Sequence, residues 1–162
     1  MLYARATAGL VAPVIVDIVV PATLLRGSGG RFDLGPPRFA GLPLIVVGAW
    51  LLLDSVFVRF AREGRGTLNP IDPPRFVVRG GAYRVVRNPM YVANLAVLVG
   101  SGILFQSWRL FVWAAFVFVA FHVFVVTYEE PVLGRAFGDD YEAYRRGVGR
   151  WLPRRRRRGR AR

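Results

Sequence analysis

The stretch Leu110-Phe111-Val112-Trp113-Ala114-Ala115-Phe116-Val117-Phe118-Val119-Ala120-Phe121-His122-Val123-Phe124-Val125-Val126-Thr127-Tyr128-Glu129-Glu130-Pro131 decides the fold of this chain. From Leu110 to Tyr128 it is apolar over the length a helix needs to cross a bilayer, about 20 residues at 1.5 Å each for roughly 30 Å of hydrocarbon. Two carboxylates close the run. Acids at the foot of a membrane helix are costly to desolvate, and a site for a cationic, hydroxyl-rich ligand at the membrane surface accounts for their presence. Pro131 follows them, so the sequence predicts that the helix stops or kinks there and turns the acids toward a cavity.

Outward from this run, the arginines mark three more apolar segments of spanning length. They are Ala6 to Leu25, Phe39 to Val58, and Pro89 to Trp108. Only Arg109, with Gln106 and Ser107 before it, separates the last two spans, which predicts a tight helical hairpin. Loops on the cytoplasmic side collect basic residues. The segments Arg59 to Arg87 and beyond Tyr128 hold most of the arginines, while Arg26, Arg31, Arg38 and Arg109 stand on the other side. The expectation is an all-α bundle of four transmembrane helices with both termini and the long middle loop cytoplasmic. Pro13 and Pro21 predict a kinked first span. The loop Arg26 to Arg38 and the segment Gly64 to Pro74 read as irregular.

The composition agrees with a membrane solvent. Of 162 residues 54% are hydrophobic and 14% aromatic, and the formal net charge is +13 with arginine as the basic residue throughout. Exclusive arginine use reads as the codon bias of a GC-rich genome, which suggests a bacterial inner membrane. The absence of cysteine excludes thiol nucleophiles and cysteine-ligated metals, and no metal site is expected. The domain is expected over 1–153, with 154–162 a disordered polybasic tail. There the run Arg154 to Arg158 lies against anionic lipid headgroups, each arginine worth about 1 kcal/mol. No stacking platform accompanies the run, so nucleic acid is not expected as a partner.

Arg87-Asn88-Pro89 opens the third span. Proline in a first turn sacrifices no hydrogen bond and Asn88 can cap exposed N–H groups. The same N–H groups, with Arg87, suit a carboxylate ligand. Tyr83 and Tyr91 flank this start and offer aromatic faces to a cation. His122 precedes Glu129 by seven residues, two turns up the same helix face, and is a candidate base or substrate-orienting residue. Asp17 and Asp54 are further intramembrane acids, the second within reach of Arg59.

Together Gly81-Ala82-Tyr83-Arg84-Val85-Val86-Arg87-Asn88-Pro89-Met90-Tyr91, the acid pair, Leu133, Phe137-Gly138-Asp139-Asp140-Tyr141, Tyr144 and Arg150-Trp151-Leu152-Pro153 form a specific pattern. It resembles the isoprenylcysteine carboxyl methyltransferase and phospholipid methyltransferase superfamily of integral membrane enzymes, over about half the chain. The first two spans carry no diagnostic residues. The resemblance implies S-adenosylmethionine as methyl donor, bound on the cytoplasmic side between the last two spans and the C-terminal segment. Carried over by position, its contacts would be Phe76, Val77, Val78, Tyr83, Arg87, Asn88, Pro89, Met90, Tyr91, Glu129 and Glu130. The implied acceptor is lipidic or a small hydrophobic molecule: a prenylcysteine carboxylate, a phospholipid amine or a thiol. The chain departs from the pattern twice, with Asn88 where many members have His and Val125 where enzymes acting on prenylcysteine carry Arg. Two alternatives stand beside it. One is a nicotinamide-dependent reductase of the sterol-reductase type, which shares an Arg-x-Pro-x-Tyr helix start; the other is a non-enzymatic basic membrane protein.

Overall fold

A computed structural model describes residues 14–27, 29–57 and 77–154. The described residues are helical with no strand, and two isolated bridges link Arg31 to Ser107 and Val86 to Gly149. A π-helical turn, Ile15–Val19, leads into α1 (Val20–Arg26), and a 3-10 turn, Pro36–Ala40, into α2 (Gly41–Phe57). Another 3-10 turn, Gly81–Arg84, precedes α3 (Pro89–Leu104). The helix α4 (Trp108–Phe124) continues through a second π-helical turn, Val125–Glu129, into α5 (Glu130–Gly147).

Two of these helices, Pro36–Ser55 and the rod Trp108–Gly147, are long and apolar enough to cross a membrane. Only 11% of the first apolar window and 22% of the second are buried inside the protein, whereas the core helix of a water-soluble protein is mostly covered. The outward stripes run Val46, Trp50, Leu53 and Val112, Phe116, Val119, Val123, all more than half exposed. The expected third span is shorter than the sequence suggested. The helix α3 has 16 residues, about 24 Å of rise. It ends because Gln106 takes a left-handed φ of 53°, and Trp108 opens α4 instead of closing α3. The expected first span is described from residue 14 onward, its first part, with Pro13, lying outside the described residues, as does the segment Gly64 to Pro74.

Small residues let α2 and α3 lie against each other. Gly41, Gly48 and Ser55, seven apart on α2, are buried, as are Ala93 and Gly100, seven apart on α3. A β-carbon on Gly48 would come within 2.9 Å of the Ala93 carbonyl oxygen, and one on Gly100 within 2.7 Å of that of Gly41. With few apolar contacts to gain over lipid, helices in a bilayer associate through such close backbone approach. Gly48→Leu is therefore expected to separate the pair and to cost about 1–3 kcal/mol, read as a lowered unfolding temperature in detergent.

The hairpin between α3 and α4 forms as expected, and the irregular loop after α1 is bound to it. Gln106 accepts from the Phe32 N–H through its carbonyl (3.1 Å) and from the Leu34 N–H through Oε1 (2.6 Å), while the Trp108 N–H donates to the Gly30 carbonyl (2.7 Å). At the opposite end of the bundle, Asp54 Oδ2 accepts from the Ala82 N–H at 3.1 Å. Asp54 thus ties α2 to the turn ahead of α3; its expected partner Arg59 lies outside the described residues. Oδ1 of Asp17 is buried without a hydrogen-bond partner among the described residues.

Proline does not stop the last helix. Pro131 has no N–H to give the carbonyl four residues back, and its ring would press on that turn. The widened π turn removes the conflict: the Glu130 N–H reaches Val125, five residues back. The same device stands before Pro21, where Val20 N–H donates to Ile15. Each such turn takes in one extra residue and rotates the downstream helix by about 100° relative to an unbroken α-helix. The rod bends further on, at Gly138, whose φ of 50° and ψ of −126° lie where side chains are strained. Nothing stands within 4 Å of a β-carbon there, so Gly138→Ala is expected to cost conformational strain alone, about 1–3 kcal/mol, again measurable as thermal stability.

Candidate functional site

The bend at Gly138 folds the end of α5 back, and residues 148–153 then run past the start of α3 as a strap. The Arg87 N–H donates to the Gly149 carbonyl at 2.8 Å, and Asn88 Nδ2 to the Arg150 carbonyl at 3.2 Å. Asn88 therefore does not cap α3 with its side chain, as the sequence suggested; it fastens the strap. Arg154 is not part of a free tail either. Its Nη1 donates to the Arg146 carbonyl at 2.7 Å, capping the C-terminus of α5. Residues 155–162, with the rest of the expected polybasic tail, lie outside the described residues.

The two glutamates have different surroundings. Glu130, 7% exposed, accepts a bidentate pair from Arg150 Nε and Nη2 at 2.7 and 2.8 Å. Arg87 Nη1 lies 2.9 Å away and Arg145 Nη1 3.9 Å away. Its carboxylate is thereby committed to a clasp joining α3, α5 and the strap. Glu129 is half-buried and accepts from the Tyr91 hydroxyl through Oε2 at 3.0 Å. Arg87 Nη1 is ion-paired to Glu130 at 2.9 Å, and its buried Nε has no hydrogen-bond acceptor among the described residues. That unpaired Nε is an observation in favour of an anionic ligand group, because buried N–H groups are rarely left unpaired.

An aromatic cluster adjoins the acids. Tyr91 packs on Phe121 at 4.5 Å between ring centroids and approaches Trp151 at 6.4 Å. Trp151 donates from Nε1 to His122 Nδ1 at 3.1 Å and meets Phe118 edge-on at 5.4 Å. The π turn re-pairs the face. Tyr91 holds Phe121 and Glu129, and the consecutive Arg150 and Trp151 hold Glu130 and His122; both helix pairs are eight residues apart. The expected alignment of His122 with Glu129, seven residues on, is thus corrected by the extra residue in the turn: its face mate is Glu130.

The remaining expected contacts fall around this centre. Tyr83 is buried beside Val78, and its carbonyl accepts from the Tyr144 hydroxyl at 2.7 Å. The Val77–Arg79 stretch reaches α5, where Arg79 Nη2 donates to the Asp140 carbonyl at 2.8 Å. Pro89 and Met90 form the first turn of α3. Phe76 lies outside the described residues. Sequence reading assigned no site role to Arg150 or Trp151, although both stand in the quoted pattern. An arginine and a tryptophan side by side just after an amphipathic helix were the available signal.

Burial pushes the Glu130 carboxyl up, but the Arg150 hydrogen bonds and the charges of Arg87, Arg150 and Arg145 outweigh it and hold it below its ordinary value. Burial and then the Glu130 charge push the Tyr141 hydroxyl up, and burial does the same for Tyr144. Because the folded value for Glu130 is depressed, the clasp's contribution to stability is fully present above the ordinary value of 4.5 and is lost as pH falls through the lower folded one. Thermal unfolding should accordingly show wild-type stability declining on acidification below 4.5. Glu130→Gln should flatten that decline.

Two long apolar helices, mostly uncovered by protein, with a polar, partly buried cluster at one end of the bundle, are the arrangement of a membrane-associated protein. The family model for phospholipid methyltransferases matches residues 37–140, well over half of the chain, and the chain belongs to that family of membrane methyltransferases. The match takes in α2 and every expected cofactor residue, and it ends before Tyr141 and the strap. It favours methyl transfer over the reductase reading. No curated protein and no solved structure matches the chain.

Proposed function

We propose that this chain is a four-span membrane enzyme that transfers a methyl group from S-adenosylmethionine to a lipidic or small hydrophobic acceptor, with the site on the cytoplasmic face. One observation carries the reading: the start of α3 presents both the Tyr91–Glu129 hydrogen bond and, four residues before Tyr91, Arg87, whose buried Nε has no acceptor among the described residues. These groups fit the donor's own chemistry. Arg87 Nε suits its carboxylate, Glu129 can accept from its ammonium or ribose hydroxyls, and the Tyr91 ring presents a π face to a sulfonium. Glu130 acts by holding Arg87 and the strap in place.

When bound, S-adenosylmethionine supplies an electrophilic methyl group on a sulfonium. The chain needs no nucleophilic side chain for such a transfer. What Arg87, Tyr91 and Glu129 contribute is orientation, and what the aromatic cluster of Tyr91, Phe121 and Trp151 contributes is exclusion of water. Alignment of two reactants can amount to roughly 7–11 kcal/mol of barrier. The test is transfer of a radiolabelled methyl group into a membrane lipid extract by the purified protein. Incorporation that disappears in Glu129→Gln supports the reading, and none from the folded wild-type enzyme with any lipid or thiol fraction contradicts it.

A further inference from the structure

The hydrogen bond between Trp151 and His122 fixes the imidazole's proton. An indole N–H can only donate. Lying 3.1 Å from His122 Nδ1, it makes Nδ1 the unprotonated nitrogen and leaves the neutral ring's proton on Nε2. The Nδ1 lone pair is occupied, so in this state the ring has none with which to take a proton from an acceptor. It is a donor, not the base that its position alone suggested.

The surroundings indicate what it donates to. His122 is half-buried, and its Nε2 makes no hydrogen bond among the described residues. Its neighbours Val119 and Val123 are 58% and 52% exposed on the apolar outer surface of α4. About 12 Å along the same helix face, the guanidinium groups of Arg87, Arg145 and Arg150 gather on the Glu130 carboxylate. Glu129, Glu130 and Glu142, which pairs with Arg145 at 3.5 Å, balance those three charges, so the preference for an anion comes from the Nε2 donor itself: a hydrogen bond to an ionised acceptor is about twice as strong as one to a neutral acceptor.

We propose that His122 recognises the methyl acceptor by donating from Nε2 to an anionic oxygen, phosphoryl or carboxylate, of an amphiphile that arrives from the bilayer. Trp151 is its positioning residue. The assignment of that amphiphile as methyl acceptor rests on the methyl-transfer reading, whereas the proton position and the anion contact do not.

The chain has a single histidine, so 15N-histidine labelling of the whole protein in neutral maltoside micelles reports on it alone. Long-range 1H–15N spectra should show Nε2 protonated and Nδ1 not, and Trp151→Phe should lose that single tautomer. Titration with dodecyl phosphate or dodecanoate should move the Nε2–H signal saturably, while dodecanol and inorganic phosphate leave it in place. A proton on Nδ1 of the wild-type protein would overturn the proposal. So would an Nε2 signal that neither anionic amphiphile moves, or one that inorganic phosphate moves as far as its dodecyl ester does. No methyl donor is present in these measurements, so a failure of cofactor binding would leave their outcome standing.

Discussion

Glu130→Ala is expected to remove about 3–5 kcal/mol of stability, the range seen when one partner of a buried ion pair is deleted. The size follows from where the carboxylate sits. At 7% exposure it is the common partner of Arg150, Arg87 and Arg145, and Arg87 itself is only 10% exposed. Without Glu130, Arg87 becomes an uncompensated buried charge and the strap loses its bidentate anchor. The effect should appear as a large drop in unfolding temperature in detergent, with proteolysis beginning near residues 148–153. Glu130→Ala combined with Arg87→Met should recover part of the loss, because the stranded charge has then been removed as well. An unchanged unfolding temperature in the single variant would mean that the clasp does not hold the end of the bundle together.

The contrasting result is expected one residue earlier. Glu129→Gln keeps the shape, and the amide can still accept from the Tyr91 hydroxyl, so folding stability should change by less than about 1 kcal/mol. Affinity for S-adenosylmethionine should fall about 10- to 100-fold, because a hydrogen bond to a charged group contributes about 1.5–3 kcal/mol and 1.4 kcal/mol is a factor of ten. Adjacent glutamates thus separate into a stability residue and a binding residue. Equal losses of stability in both variants, with equal affinity, would merge the two roles again.

Much of this was legible in the residues. The apolar run ending in two acids, the Asn88-Pro89 helix start and the short Gln106-Ser107 connection each follow from local rules, and all three are found. Gly41, Gly48 and Ser55 against Ala93 and Gly100 were also visible as seven-residue spacings, though only the close approach of the backbones shows their use. What local rules could not supply is the response to Pro131. A helix can stop, kink or widen by one residue at a proline, and the choice depends on whether the downstream segment has something to pack against. Here Tyr141 and Tyr144 have Tyr83 and the Arg87–Glu130 pair, so the helix continues and the π turn decides which residues share a face. The division of labour between Glu129 and Glu130 depends on that turn and on a strap twenty residues further along the chain.

The most direct test of the donor site is calorimetric titration of S-adenosylmethionine into the purified protein in lipid nanodiscs, wild type against Glu129→Gln, with both shown to be folded. Saturable one-to-one binding by the wild type is expected, with binding weakened at least tenfold in the variant. No heat of binding by the folded wild type, or equal affinity in the two, would contradict the assignment of Glu129, Tyr91 and Arg87 to a methyl-donor pocket.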